Sequence, residues 1–201
     1  MAIAGEATEP EPPFRLLAVC TANRCRSPLA GALFARALAD RGVDALVLSA
    51  GFGENDRPVT PDTRTVAAAR GLDLGAHRSR RFDAELAGAD LVLAMERLHV
   101  RDLVVAEPAL WPRCFTLKEA VRRGEAAGPR AADEPFPTWL ARLHHGRRSQ
   151  DLLRTSGDDE VTDPTGGTLV EHVDVADELH DLVVRFVDLA WPIRPGLRST
   201  S

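Results

Sequence analysis

The feature that most limits what this chain can fold into is a rhythm in which short, continuously apolar runs alternate with segments whose apolar residues recur at helical spacing. Phe14 to Val19 reads as a strand, and Leu29, Leu33, Phe34, Ala37 and Leu38 then mark one face of a helix expected over 28–40, closed by Gly42. The alternation continues. A strand is expected over 45–50, a helix from Thr60-Pro61 to Arg70 with Gly71 behind it, and a third strand from Leu91 to Met95. A helix through Leu98, Leu103 and Val104 follows, then a fourth strand over 114–117 and a helix over 118–123. The last helix, expected over about 169–190, would bury Val173, Ala176, His180, Val183 and Val187. Strands apolar on both faces need cover on both faces, which means α/β with a parallel sheet between layers of helices. Such sheets bind ligands beyond the carboxyl ends of their strands, and this directs attention to the turn after Val19.

One stretch breaks the rhythm. Residues 124–161 are rich in Gly, Pro, Asp and Arg, with one short helix expected near 137–145, so the stretch reads as an inserted segment or mobile cover outside the sheet. The expected division is therefore a disordered acidic tail at 1–13, one domain at 14–191 carrying the insert, and a loose tail at 192–201. A length of 201 residues with 44% hydrophobic content suits one globular domain with a real core. The net charge of -5, with acids and bases interleaved, excludes the basic footprint of a nucleic-acid binder, so any anionic ligand must be held locally. No apolar run approaches a membrane span and no leader-like segment opens the chain, so the expectation is a cytoplasmic protein without membrane partners. Cys20, Cys25 and Cys114 are too few and too irregularly spaced for a disulfide framework or a zinc site. No metal and no cofactor are expected; a special cysteine here is a nucleophile before it is a staple.

The turn after the first strand reads Cys20-Thr21-Ala22-Asn23-Arg24-Cys25-Arg26-Ser27-Pro28. A cysteine and an arginine six residues apart carry little information alone; their place between strand and helix carries more. A loop at a helix N-terminus aims several backbone N–H groups and the positive dipole end at one point, which suits a tetrahedral anion. Ser27 suits the N-cap and Pro28 the first turn, where a missing N–H costs nothing. The same field would stabilise a Cys20 thiolate. Arg26 offers a planar fork that matches two phosphoryl oxygens and always carries charge. Asn23 suits the left-handed backbone that such a loop needs.

These residues resemble the low-molecular-weight protein tyrosine phosphatases, whose signature is this loop of cysteine, five residues, arginine, serine and proline. The similarity extends through Ser49-Ala50-Gly51, His77-Arg78-Ser79-Arg80, the stretch Ala89 to Met95, Phe115-Thr116-Leu117 and Asp163-Pro164. The resemblance implies a four-stranded parallel sheet with helices on both faces, a flavodoxin-like three-layer sandwich, and metal-independent hydrolysis of phosphomonoesters through a phosphocysteine. Carried over by position, Cys20 would be the nucleophile, Arg26 the phosphate clamp and Asp163 the general acid. Thr21, Ala22, Asn23, Arg24, Cys25 and Ser27 would bind phosphate or support the loop. The expected partner is a phosphorylated protein or a small-molecule phosphate.

The chain departs from the family at the wall of the pocket. Relatives acting on phosphotyrosine place aromatic residues where this chain has Asn55, Thr165 and Gly166. Phe52, or Phe136 and Trp139 from the inserted segment, are candidates to rebuild that wall, and Phe52, Asn55 and Thr165 are candidates for substrate recognition. Arg24 adds a second cation, turned either to the pocket or to solvent. Ala22 stands where a glycine is common. Cys25 is close enough in sequence for a protective disulfide with Cys20, or simply packs; Cys114 reads as core, His144-His145 as solvated surface, and His77 as a brace at the sheet end. Two rival functions remain: a thiol-dependent arsenate reductase, which needs further relay cysteines, and a silent phosphate-binding module.

Overall fold

The computed structural model describes residues 12–153 and 157–193, so the tail expectations for 1–11 and 194–201 lie outside the described residues. Four strands, β1 (Phe14–Val19), β2 (Ala45–Ala50), β3 (Leu91–Ala94) and β4 (Cys114–Thr116), form one parallel sheet in the order β2-β1-β3-β4. Val19 lies beside Ala50 on one side and Ala94 on the other, and Ala94 lies beside Thr116. The carboxyl ends are thus level, and the loops that leave them share one edge.

Alternation along β1 builds two cores. Leu16 and Ala18 face a cluster formed with α1 (Arg26–Asp40), α2 (Pro61–Ala68), α4 (Leu117–Ala127), α5 (Phe136–His144) and α6 (Leu169–Ala190). Leu17 and Val19 face the opposite cluster, with Val100 and Leu103 of α3 (Arg97–Ala106), Leu86 and Leu110. That is the three-layer sandwich expected of the family. Complete burial of a leucine such as Leu16 or Leu17 contributes about 1.5–3 kcal/mol, so the central strand, and the loop that follows it, are firmly placed. Among the described residues, no helix is long and apolar enough to cross a membrane, and no cluster of three His, Cys, Asp or Glu could hold a metal ion.

Two local expectations change. α1 begins at Arg26, with Cys25 at its N-cap and no side-chain cap, so Ser27 lies inside the first turn and its hydroxyl is free for the loop. On α6, Val173 and His180 face outward, while His172, Val175, Leu179, Leu182 and Phe186 join Ala176, Val183 and Val187 on the buried side. The larger apolar side chains Leu179, Leu182 and Phe186 decide which face turns inward.

Among its described residues the 124–161 segment has no strand, and α4 runs three residues into it beyond Gly124. It also supplies core: Trp139, Leu140, Leu143 and Val161 are buried. Trp139 packs its ring against Phe186 at 5.7 Å and its Nε1 donates to the Gly128 carbonyl at 3.0 Å. Arg147 lies between the rings of Trp111 and Phe115, at 3.9 and 4.1 Å, paired with Glu119. Phe136 stacks on Trp191 and meets Phe14 edge to face at the amino end of β1. A six-residue strand spans about 17–20 Å, so Phe136 stands at the wrong end of the sheet and Trp139 is sealed in the core. Neither rebuilds a wall at the loop after Val19. Trp139→Ala should therefore lower stability by about 3–5 kcal/mol, read by denaturant unfolding, with residual folded protein still turning over substrate.

Candidate active site

The loop 20–25 leaves β1 and enters α1 at the carboxyl edge of the sheet. Its shape depends on a close approach by the end of β2. A Cβ on Gly51 would lie 2.7 Å from the Asn23 nitrogen and the Thr21 carbonyl oxygen, so no side chain fits there. The next two amides, Phe52 and Gly53, donate to the Thr21 carbonyl at 2.7 and 3.1 Å. Asn23, fully buried at φ 54°, is the hub. Its Nδ2 donates to Ser27 and Ser49 hydroxyls at 2.9 Å, its Oδ1 accepts from the Arg80 amide at 2.8 Å, and its carbonyl accepts from His77 Nε2 at 2.8 Å. His77, expected at the sheet end, braces the loop itself. With these ties in place, none of the amides of residues 21–25 has a backbone acceptor among the described residues. They are left for an anion.

Cys20 Sγ, buried at 3% exposure, lies 3.0 Å from Ser27 Oγ. Ser27 Oγ accepts from Asn23 Nδ2, and its one proton has two acceptors, Cys20 Sγ and the Ala50 carbonyl at 3.2 Å. A Cys20 thiol donates to Ser27, which then donates to Ala50; a thiolate draws the Ser27 proton to itself. The charge on sulfur thus selects between two hydrogen-bond patterns without moving a heavy atom.

Arg26 is 1% exposed and is held on several sides. Nη1 donates to Glu96 Oε1 at 2.5 Å and to the Val161 carbonyl at 2.8 Å, and Nη2 donates to Asp163 Oδ2 at 2.7 Å and Thr21 Oγ1 at 3.3 Å. Its Nε, also buried, has no partner among the described residues. A buried guanidinium between two carboxylates satisfies its charge, while the orphan N–H keeps one arm of the fork open. Asp163 in turn accepts from the Thr165 amide at 3.1 Å, so Thr165 orients the carboxylate through its backbone.

His99, in the first turn of α3, places Nε2 3.0 Å from Thr21 Oγ1 and stacks on Phe52 with ring centres 5.9 Å apart. Burial pushes its pKa below the ordinary imidazole value, ahead of the opposing pull of Glu96, so the ring is neutral at neutral pH. Phe52 therefore reaches the loop, the one aromatic candidate that does. Asn55 spends its Oδ1 on the Arg81 amide at 2.6 Å and ties the 51–57 segment down. Arg24 directs its Nε to the Pro58 carbonyl at 2.9 Å, and Thr21 and Ala22 are exposed at the mouth.

The other thiols are buried and free. Burial pushes Cys25 up to about 11 and Cys114 up to about 12, so both stay protonated at neutral pH. The sequence pointed to neither Glu96 nor His99. Their signal was their position: polar residues just past the third apolar strand, on the ligand-bearing edge. The Val161 carbonyl, a backbone group, left no signal at all.

Residues 15–135 match the model of a family described as low molecular weight phosphotyrosine protein phosphatase. Among curated relatives, a probable low molecular weight protein-tyrosine-phosphatase of Ralstonia solanacearum is 37% identical over 106 residues, 52% of this chain and 70% of that protein. A protein-arginine-phosphatase of Geobacillus stearothermophilus is 35% identical over 143 residues, 65% of this chain and 94% of that protein. The solved low molecular weight protein tyrosine phosphatase from T. tengcongensis superposes with a TM-score of 0.66 at 30% identity, covering 87% of this chain and 98% of its own.

Proposed function

This chain belongs to the low molecular weight phosphotyrosine protein phosphatase family, and from that premise we propose that Cys20, Arg26 and Asp163 carry out its cysteine-dependent hydrolysis of phosphate esters. The observation that carries the assignment is the junction itself: a buried sulfur 3.0 Å from Ser27 Oγ, in a loop of uncommitted amides, under a guanidinium joined to Asp163 at 2.7 Å. An arriving phosphoryl dianion takes the loop amides, Arg26 Nε and Nη2, and displaces the Asp163 carboxylate from Nη2; freed of the guanidinium and set beside the dianion, that carboxylate takes up a proton from solvent. Glu96 stays on Nη1 and keeps the guanidinium in place. Cys20 thiolate attacks phosphorus in line; the S–P bond forms as the P–O bond breaks, and Asp163 gives its proton to the departing oxygen. Water then attacks the phosphocysteine, Asp163 takes its proton, and inorganic phosphate leaves with the thiolate restored.

The relatives act on proteins, and the natural substrate of this chain is read as a phosphorylated side chain. With Asn55, Thr165 and Gly166 where phenyl-binding aromatics stand in the family, Phe52 is the wall that remains. That favours a group thinner than a phenyl ring, such as the phosphoguanidino group of the Geobacillus relative's substrate or a small-molecule phosphate, over phosphotyrosine. The ratio of kcat/KM across phosphotyrosine peptide, phosphoarginine peptide and sugar phosphate decides it. The arsenate-reductase reading is disfavoured because Cys114, the first residue of β4, is fully buried with its thiol pushed up to about 12, a poor relay. Three unpaired thiols fit a reducing compartment, and the proposal places the reaction in the cytoplasm.

Asp163→Asn tests the acid. It should lower kcat about 10²- to 10³-fold for an ester with a poor leaving group and far less for one with an activated leaving group, measured in parallel steady-state assays. Equal losses for both esters would remove Asp163 from the proton transfer.

A further inference from the structure

We infer that Asp159 is a positioning residue for the proton-transfer step, acting through Asp163; the inference rests on the general-acid reading above. Asp159 touches no reacting atom. Its carboxylate is 11% exposed and is gripped from two sides, accepting from Arg122 Nε at 3.1 Å and Nη2 at 2.8 Å on α4, and from Arg97 Nη2 at 3.3 Å at the start of α3. The Arg122 contact is a two-bond fork, which fixes orientation as well as distance. Two residues on, the Val161 amide donates to the Met95 carbonyl at 2.8 Å, and the Val161 carbonyl accepts from Arg26 Nη1 at 2.8 Å. Two further residues bring the chain to Asp163 on Arg26 Nη2.

The segment feeding the acid is therefore fastened at three alternate residues, 159, 161 and 163, and the first fastening joins it to both helices that leave β3 and β4. Arg97 follows Glu96 directly, so the cap of α3 presents one side chain to Arg26 and its first residue presents the next to Asp159. Asp163 must let go of Arg26 when phosphate binds, and from then on its backbone and the Thr165 amide define where the carboxyl stands. Thr165, which orients that carboxylate, is itself exposed and lies downstream. The upstream anchor that survives substrate binding, apart from Val161, is Asp159. A misplacement of about 1 Å at a reacting group costs on the order of 10²-fold, so loosening this anchor is felt in the chemical step.

The test is a double-substitution cycle on the full chain. Asp159→Asn keeps the shape and halves the charge-assisted bonding; Arg122→Gln loosens the same contact from the other side and guards against a folding artefact. Both are expected to lower kcat about tenfold or more for a poor leaving group, to leave KM and the activated ester within about twofold, and to cost nothing further in an Asp163→Asn background. A loss that persists in the Asp163→Asn background, a loss equal for both esters, or unchanged kcat with only a lowered Tm would each overturn the positioning role. If Asp163→Asn alone leaves turnover intact, the general-acid reading fails and the positioning role falls with it; if Asp163→Asn is impaired and the two clamp variants are not, only the clamp fails.

Discussion

Cys20→Ser is expected to lower kcat about a millionfold while leaving inorganic phosphate affinity within a few-fold of wild type, the pattern of losing a covalent nucleophile from a site that is otherwise preorganised. The sulfur is surrounded by groups that stabilise its anion: Ser27 Oγ at 3.0 Å, the loop amides and the helix N-terminus of α1. A serine hydroxyl in that place is far harder to ionise, so the same field produces almost no alkoxide at neutral pH. The shell that binds phosphate is unchanged, because Arg26 and the amides of residues 21–25 do not depend on the identity of the atom at their centre. Turnover of an aryl phosphate and phosphate titration by calorimetry check the two halves separately. Activity retained within tenfold would mean that the phosphocysteine does not lie on the path.

The second large effect belongs to Arg26→Lys, which should reduce kcat about 10³- to 10⁴-fold despite conserving the charge. The guanidinium bonds Glu96 and the Val161 carbonyl through one nitrogen and Asp163 and Thr21 through the other, with Nε in reserve. An ammonium is a single point. It cannot hold Glu96 and two phosphoryl oxygens at once, so it either stays with the carboxylates or follows the substrate. Arg26→Ala would add a folding defect of about 2–4 kcal/mol, since Glu96 and the buried Val161 carbonyl lose their partner, a figure reduced from that of a fully buried pair because Glu96 and Asp163 keep 26% and 41% exposure. Steady-state kinetics on the lysine variant and thermal unfolding of both variants separate catalysis from stability. A lysine variant with near-normal kcat would show that charge alone suffices.

The loop was legible because its chemistry is local. Cys20, Asn23, Arg26 and Ser27 lie within eight positions, and the left-handed backbone expected of Asn23 is found at φ 54°. Local reasoning failed where a local rule met a tertiary demand. Ser27 looks like an N-cap, but the helix starts one residue before it, because its hydroxyl is wanted by Cys20, Asn23 and Ala50. Phe136 and Trp139 looked like wall candidates by residue type alone, and folding sent them to the amino end of the sheet and the core.

What the chain's own order of residues determined is the layered α/β architecture and the strand-to-helix turn that gathers Cys20, Asn23, Arg26 and Ser27 at the end of its first strand. Periodicity and a strand-to-helix turn are properties of neighbours along the chain, and these can be read from neighbours. Only the tertiary structure decided that Glu96, His99 and the Val161 carbonyl crowd around Arg26 and Thr21, and that Asp159 is gripped by Arg97 and Arg122. Those contacts join residues 37 to 135 positions apart, brought together because parallel strands deliver all their carboxyl ends to one edge.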